Sequence, residues 1–170
     1  INKYNIGGVT FFRTDAASLL EQANEWQSMA QTPMMIAIDG EWGLGMRIND
    51  GLSYPYQMTL GAITNDSLIA EMGRQIAEQC VRLGINVNFA PDIDVNNEPN
   101  NPVIGFRSFG EDPDNVARKG TAYALALQNN GVLPSMKHFP GHGNTKTDSH
   151  HALPIIKNSL EEIEEIELLR

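Results

Sequence analysis

Residues 6–39 read IGGVTFFRTDAASLLEQANEWQSMAQTPMMIAID, and they contain one complete structural sentence. Ile6 to Phe12 is a short apolar run, β-branched and aromatic, bounded by glycine, as a buried strand requires. Leu19, Leu20, Ala23, Trp26 and Ala30 then recur at helical spacing. Met34 to Asp39 is again a continuous apolar run. A strand that is apolar throughout, instead of alternating, has both faces covered, and a strand–helix–strand unit of this kind builds a parallel sheet.

The same rhythm continues outward from this unit. After a long polar segment, Leu68, Ile69, Met72, Ile76, Cys80 and Leu83 fall on one helical face, and Gly84 stands where a helix C-cap belongs. Ile85 to Pro91 reads as a third strand. Asp112 and Pro113 open a third helix, with Val116, Tyr123 and Leu127 on its apolar side and Gly131 at its end. Val132 to Lys137 is a fourth strand. Ser159 and Glu162 then form a capping box before Leu160, Ile163, Ile166 and Leu169.

Four βα units of this type suit an open doubly wound sheet or a (β/α)₈ barrel, and both place ligands beyond the carboxyl ends of the strands. Those ends carry Asp39 and Glu41, Asp92 and Asp94, and Lys137 and His138. The three longest loops, 40–65, 91–112 and 139–159, leave from that end too, and loops of such length in a compact domain are usually functional.

Bulk properties narrow the chemistry. At 170 residues and 41% hydrophobic composition, the chain has the size of one domain with a real core. Its 21 acidic against 12 basic side chains give a formal net charge of −9, which repels polyanions and sets nucleic acid aside. The single cysteine, Cys80, sits in a helical apolar stripe and reads as a core residue, so neither an oxidising nor a reducing compartment is excluded, and cytoplasm and cell envelope both stay open. No run of about 18 apolar residues marks a membrane span. The start at Ile1 suggests a processed or truncated beginning.

All four histidines lie within KHFPGHGNTKTDSHH, residues 137–151. A metal site is disfavoured: Pro140, Gly141 and Gly143 break the helix on which His138 and His142 would share a face. A phosphate cradle is disfavoured too, because the glycine spacing is wrong and no helix follows directly. Acid/base chemistry fits better. Asp148 and His150 flank Ser149, a spacing at which a loop can fold the carboxylate onto the imidazole, fix its tautomer and raise its basicity.

The stretch 137–150 resembles the K-H-[FI]-P-G-H-G-x4-D-S-H signature of the β-N-acetylglucosaminidase branch of glycoside hydrolase family 3. NFAPDIDVNNEPNNPVIGFRSFGEDP (88–113) and IAIDGEWGLGMR (36–47) resemble two further segments of that branch, so the likeness covers essentially the whole chain. It implies a (β/α)₈ TIM-type barrel, with residues 1–170 as a partial N-terminal barrel domain holding about half of it in four βα units. It also implies a retaining exo-β-N-acetylglucosaminidase that removes terminal N-acetylglucosamine from peptidoglycan or chitin-derived fragments through a covalent intermediate on an aspartate. Within the likeness His150 is the general acid/base and Asp148 its orienting partner. Asp39, Arg47, Arg107, Lys137 and His138 bind the hydroxyls of the terminal amino sugar. No metal and no cofactor is implied. A β-glucosidase, a phosphorylase of the same family and a non-catalytic carbohydrate-binding piece are the alternatives. Trp42, Leu44 and Gly45 depart from the branch's pattern, so the loop over the sugar is expected to differ. The nucleophile is expected downstream of Arg170 and a first barrel strand ahead of Ile1, which would leave these 170 residues inactive by themselves.

Overall fold

The computed structural model describes residues 1–147, 151, 153–156 and 158–168. Four parallel strands, β1 (Gly8–Phe11), β2 (Met35–Ile38), β3 (Val87–Asn88) and β4 (Leu133–Pro134), form one sheet in the order β1-β2-β3-β4. The helices are α1 (Ala16–Met29), α2 (Gln57–Gly61), α3 (Ser67–Arg82), α4 (Pro113–Asn129) and α5 (Leu160–Ile166). A doubly wound sheet reverses its strand order at a switch point. Here each strand is added beside the previous one in a single direction, which is the arc of a (β/α)₈ barrel.

The helix ends follow the local chemistry. Asp15 caps α1 by accepting from the Ser18 N–H at 2.8 Å. Asp112 caps α4, with Pro113 at the first helical position. The Ser159–Glu162 capping box opens α5. Gly84 and Gly131 take φ of 72° and 84°, the left-handed conformation that closes a helix without a Cβ penalty.

Strand register sorts the side chains. Phe11, Ile36 and Ile38 are buried in the core shared with the helix layer. Thr10, Ala37, Val87 and Leu133 form one row across the other face, where Leu133, like Met35, is about half exposed. Ile69, Met72, Ile76 and Cys80 of α3 and Val116, Tyr123 and Leu127 of α4 are all buried; each large aliphatic side chain contributes ~1.5–3 kcal/mol on burial. The two helices meet at Gly73, where an added Cβ would stand 2.8 Å from that of Ala126.

Two expectations need correction. The third and fourth strands are far shorter than their apolar runs, because past Asn88 the Ala90 N–H turns back to the Asn88 carbonyl at 2.8 Å and Pro91 has no N–H to offer. Pairing resumes one turn later as an isolated bridge, Asp92 opposite Lys137, with the Ile93 N–H donating to the Lys137 carbonyl at 2.8 Å. The segment 40–65 is also not a plain loop: it carries a 3₁₀ turn at Leu44–Met46 and the whole of α2.

Candidate active site

The carboxyl ends of β2, β3 and β4 are tied together by backbone and amide groups before any charged side chain is considered. Asn88, fully buried on β3, accepts the Gly40 N–H at 2.8 Å and donates to the Gly40 carbonyl at 3.3 Å. The Tyr123 hydroxyl, rising from α4, donates to the same carbonyl at 3.0 Å. Gly40 separates Asp39 from Glu41, so its clasped peptide fixes where these two carboxylates stand. On the next strand end, Gln57 of α2 donates to the Asp92 carbonyl at 2.6 Å, and the Asp92 side chain accepts the Asp94 N–H at 3.0 Å.

On this frame acids and bases alternate. Asp39 pairs with Lys137 at 2.8 Å through one oxygen and with Arg47 at 3.1 Å through the other. Lys137 also reaches Glu41 at 2.7 Å. Glu41, fully buried, receives two parallel bonds from Arg107 at 2.8 and 2.9 Å, the fork-on-fork geometry that fixes a guanidinium in orientation as well as position. Arg107 lies 3.4 Å from the Asp92 carboxyl and 3.5 Å from His138 Nε2. Asp94 closes the circuit: one of its oxygens is 2.6 Å from His138 Nδ1 and the other accepts the His142 N–H at 2.7 Å.

The charges hold one another in place. Burial pushes the Asp39 and Glu41 carboxyls up, but the hydrogen bonds and charges of Lys137, Arg47 and Arg107 outweigh it and leave both below the usual range. Burial likewise raises Asp94, and His138 together with the His142 N–H brings it down overall. Asp92 goes the other way. Its burial, then the charge of Asp94, drives its carboxyl well above the ordinary value, and its Oδ2 makes no hydrogen bond. Since an ionised Asp94 can only accept, His138 keeps its proton on Nδ1 and turns Nε2 towards the neighbouring space.

That space is a cavity of about 320 Å³ lined by Asp39, Glu41, Met46, Arg47, Val103, Arg107, Lys137 and His138. Its volume lies at the small end of ligand pockets, ~300–1,000 Å³, and its polar groups suit a compact molecule carrying adjacent hydroxyls. Asp92, Asp94 and His138 each bring a potential ligand atom within 4.8 Å of the others. Arg107 already supplies positive charge there, and the Nδ1 proton occupies the line from His138 to Asp94.

The five residues expected to bind sugar therefore share one cavity: Asp39, Arg47, Arg107, Lys137 and His138. The expected acid/base pair, Asp148 and His150, lies outside the described residues. Glu41, Asp92 and Asp94 stand in the sequence only as strand-end carboxylates. The structure joins them to the cavity's cations and to His138; the useful signal is their spacing of two after a strand end, which sets alternate side chains facing the same way.

The whole chain, residues 1–170, matches the model of the glycosyl hydrolase family 3 N terminal domain. It is 41% identical over 99% of its length to a protein named β-hexosaminidase A from Pseudoalteromonas piscicida. Among solved structures it is similar to a glycoside hydrolase family 3 β-N-acetylglucosaminidase from Paenibacillus sp. str. FPU-7, with a TM-score of 0.91, 40% identity and 97% of this chain covered. It is also similar to the β-glucoside phosphorylase BglX bound to 2FGlc, with a TM-score of 0.90, 28% identity and 95% covered. The chain spans 30%, 33% and 29% of these three proteins respectively.

Proposed function

Since the chain belongs to glycosyl hydrolase family 3 through its N-terminal domain, we propose that residues 1–170 form the sugar-gripping arc of a retaining exo-β-N-acetylglucosaminidase. The carrying observation is the single cavity in which Asp39, Arg47, Glu41, Arg107, Lys137 and His138 alternate in charge. Groups committed to particular hydroxyls select one sugar, because a mismatched ligand leaves them unpaired.

In this reading the terminal amino sugar of a peptidoglycan or chitin-derived fragment enters the cavity non-reducing end first. Asp39 accepts from its hydroxyls, while Arg47, Arg107 and Lys137 donate to them. His138 presents Nε2, its orientation held by Asp94. His150, oriented by Asp148, protonates the oxygen of the leaving sugar and then removes a proton from the water that releases the product. The carboxylate that carries the covalent intermediate is supplied from outside these four βα units.

The full-length protein is the material for the test. It should release N-acetylglucosamine from a chromogenic N-acetylglucosaminide, and His150→Ala should lower kcat by about 10²–10⁴-fold; undiminished turnover in that variant refutes the acid/base assignment. The likeness to a β-glucoside phosphorylase favours one second reading, phosphorolysis. Product analysis in the presence and absence of inorganic phosphate separates the two, since only a phosphorylase releases the sugar as its 1-phosphate.

A further inference from the structure

Beside the cavity stand three aromatic rings that the grip on the terminal sugar does not use. Trp42 and Tyr56 meet edge to face with centroids 4.8 Å apart, and Tyr56 and Phe106 lie nearly parallel, 29° between planes at 6.4 Å. Phe106 is 74% exposed and Tyr56 48%. An aromatic cluster left this open to water offers an apolar face of the kind that marks an interaction site.

The rings are placed by the cavity's own loops. Trp42 directly follows Glu41, and its carbonyl accepts the Tyr54 N–H at 2.8 Å. The loop then turns at Gly43, with φ of 98° and no room for a Cβ, which would meet the Leu52 carbonyl at 2.6 Å. Phe106 directly precedes Arg107 in the 3₁₀ turn Gly105–Arg107. That turn is anchored by Asn101, whose side-chain oxygen accepts the Val103 and Ile104 N–H groups at 2.8 and 2.9 Å. Glu41 and Arg107 are bonded to each other and both line the cavity, so Trp42 and Phe106 are the chain neighbours of two of its lining residues.

We propose that Trp42, Tyr56 and Phe106 form a stacking platform for the leaving-group sugar, the second pyranose of a β-linked saccharide. The proposal rests on the glycosidase reading above and adds a preference for what is attached to the terminal sugar. A β-linked pyranose carries its linkage oxygens equatorially, and the C–H groups of its faces are flat and apolar. Such a face lies on an aromatic ring at low entropic cost, because the ring has only two side-chain torsions to fix. A peptide occupant would call for main-chain hydrogen-bond partners, whereas this trio offers chiefly ring faces and one hydroxyl. Trp42 is also one of the positions at which the chain departs from the pattern it otherwise resembles.

The test uses the full-length enzyme and two substrates, N,N′-diacetylchitobiose and methyl β-N-acetylglucosaminide, the second of which has no second ring. The ratio of kcat/KM for the disaccharide to that for the methyl glycoside should fall about five- to tenfold in Phe106→Ala and in Trp42→Ala, and Phe106→Tyr should restore it. Phe106 is exposed, so its replacement does not threaten folding. A ratio unchanged in both alanine variants overturns the platform while leaving the glycosidase reading intact. An unmodified enzyme that releases amino sugar from neither substrate overturns both. A preference for peptide-bearing over unsubstituted saccharides that Phe106→Ala abolishes assigns the rings to a peptide and overturns the proposal.

Discussion

His138 Nδ1 lies 2.6 Å from an oxygen of Asp94, a carboxylate that is itself buried and whose second oxygen holds the His142 N–H. One side chain thus sets both the tautomer of the cavity's imidazole and the path of the loop that follows it. Asp94→Asn keeps the shape and removes the charge. If the proposed activity holds, in the full-length protein it should cut kcat/KM by roughly 10–100-fold, the worth of one charge-assisted hydrogen bond. The loss should be accompanied by a shift of the His138 ring nitrogen resonances towards mixed tautomers. Unchanged resonances alongside lost activity would refute the orienting role.

Glu41 is the hub of charge. Fully buried, it neutralises Arg107 and Lys137 together. Glu41→Gln removes the carboxylate that Arg107 and Lys137 share, leaving Lys137 to Asp39 and Arg107 without its bidentate partner, and should destabilise the protein by about 3–5 kcal/mol, the usual cost of breaking a buried pair from one side. Adding Arg107→Met should recover part of the loss, which a double-mutant cycle by urea denaturation would measure.

The same carboxylate sets an acid limit. Asp39, Glu41 and Asp94 all have lowered folded values, so at these three groups the folded state binds fewer protons than the unfolded chain. Their stabilisation is complete above the unfolded values, near 4, and is lost as pH falls through the lower folded ones. Denaturation midpoints should fall as the pH drops below about 4, and less so in Glu41→Gln.

Glu167, just past α5, behaves oppositely. Burial, then the charge of Asp94, pushes its carboxyl up to about 7. A raised folded value means stability that is fully present below the unfolded value, near 4.5, and lost as pH rises through about 7. Glu167→Gln should therefore melt roughly 2–4 °C above the parent at pH 8 and level with it at pH 4.5, a comparison that calorimetry makes directly.

Gly73 tests how the helix layer governs the site. An added Cβ would meet the Tyr123 ring at 2.9 Å as well as Ala126, and Tyr123 is the residue whose hydroxyl holds Gly40. Gly73→Leu should cost about 1–3 kcal/mol by overpacking. It should also raise KM, although residue 73 lies a full layer away from the cavity.

Much of this was legible because local rules and global fold agree. Apolar runs marked the strands, caps at Asp112, Gly84, Gly131 and Ser159 marked the helix ends, and strand carboxyl ends marked where charge would gather. Strand lengths at β3 and β4 were not legible, since an apolar run says nothing of where the chain turns back on itself, as it does past Asn88. Nor was the division of the carboxylates. Asp39 could be found from its neighbours in sequence, whereas Glu41, Asp92 and Asp94 acquire their partners only when Arg107 arrives from 66 positions away and His138 from 44. Long-range pairing of this kind leaves no periodic trace.

The clasp on Gly40 has a further consequence. The spacing of Asp39 and Glu41 is dictated by Asn88 and Tyr123, neither of which lines the cavity. Drift in what the site recognises need not pass through the charged residues at all: it can enter from behind, through the tilt of α4 or the packing of Tyr123 against Gly73, with every polar group that meets the ligand unchanged.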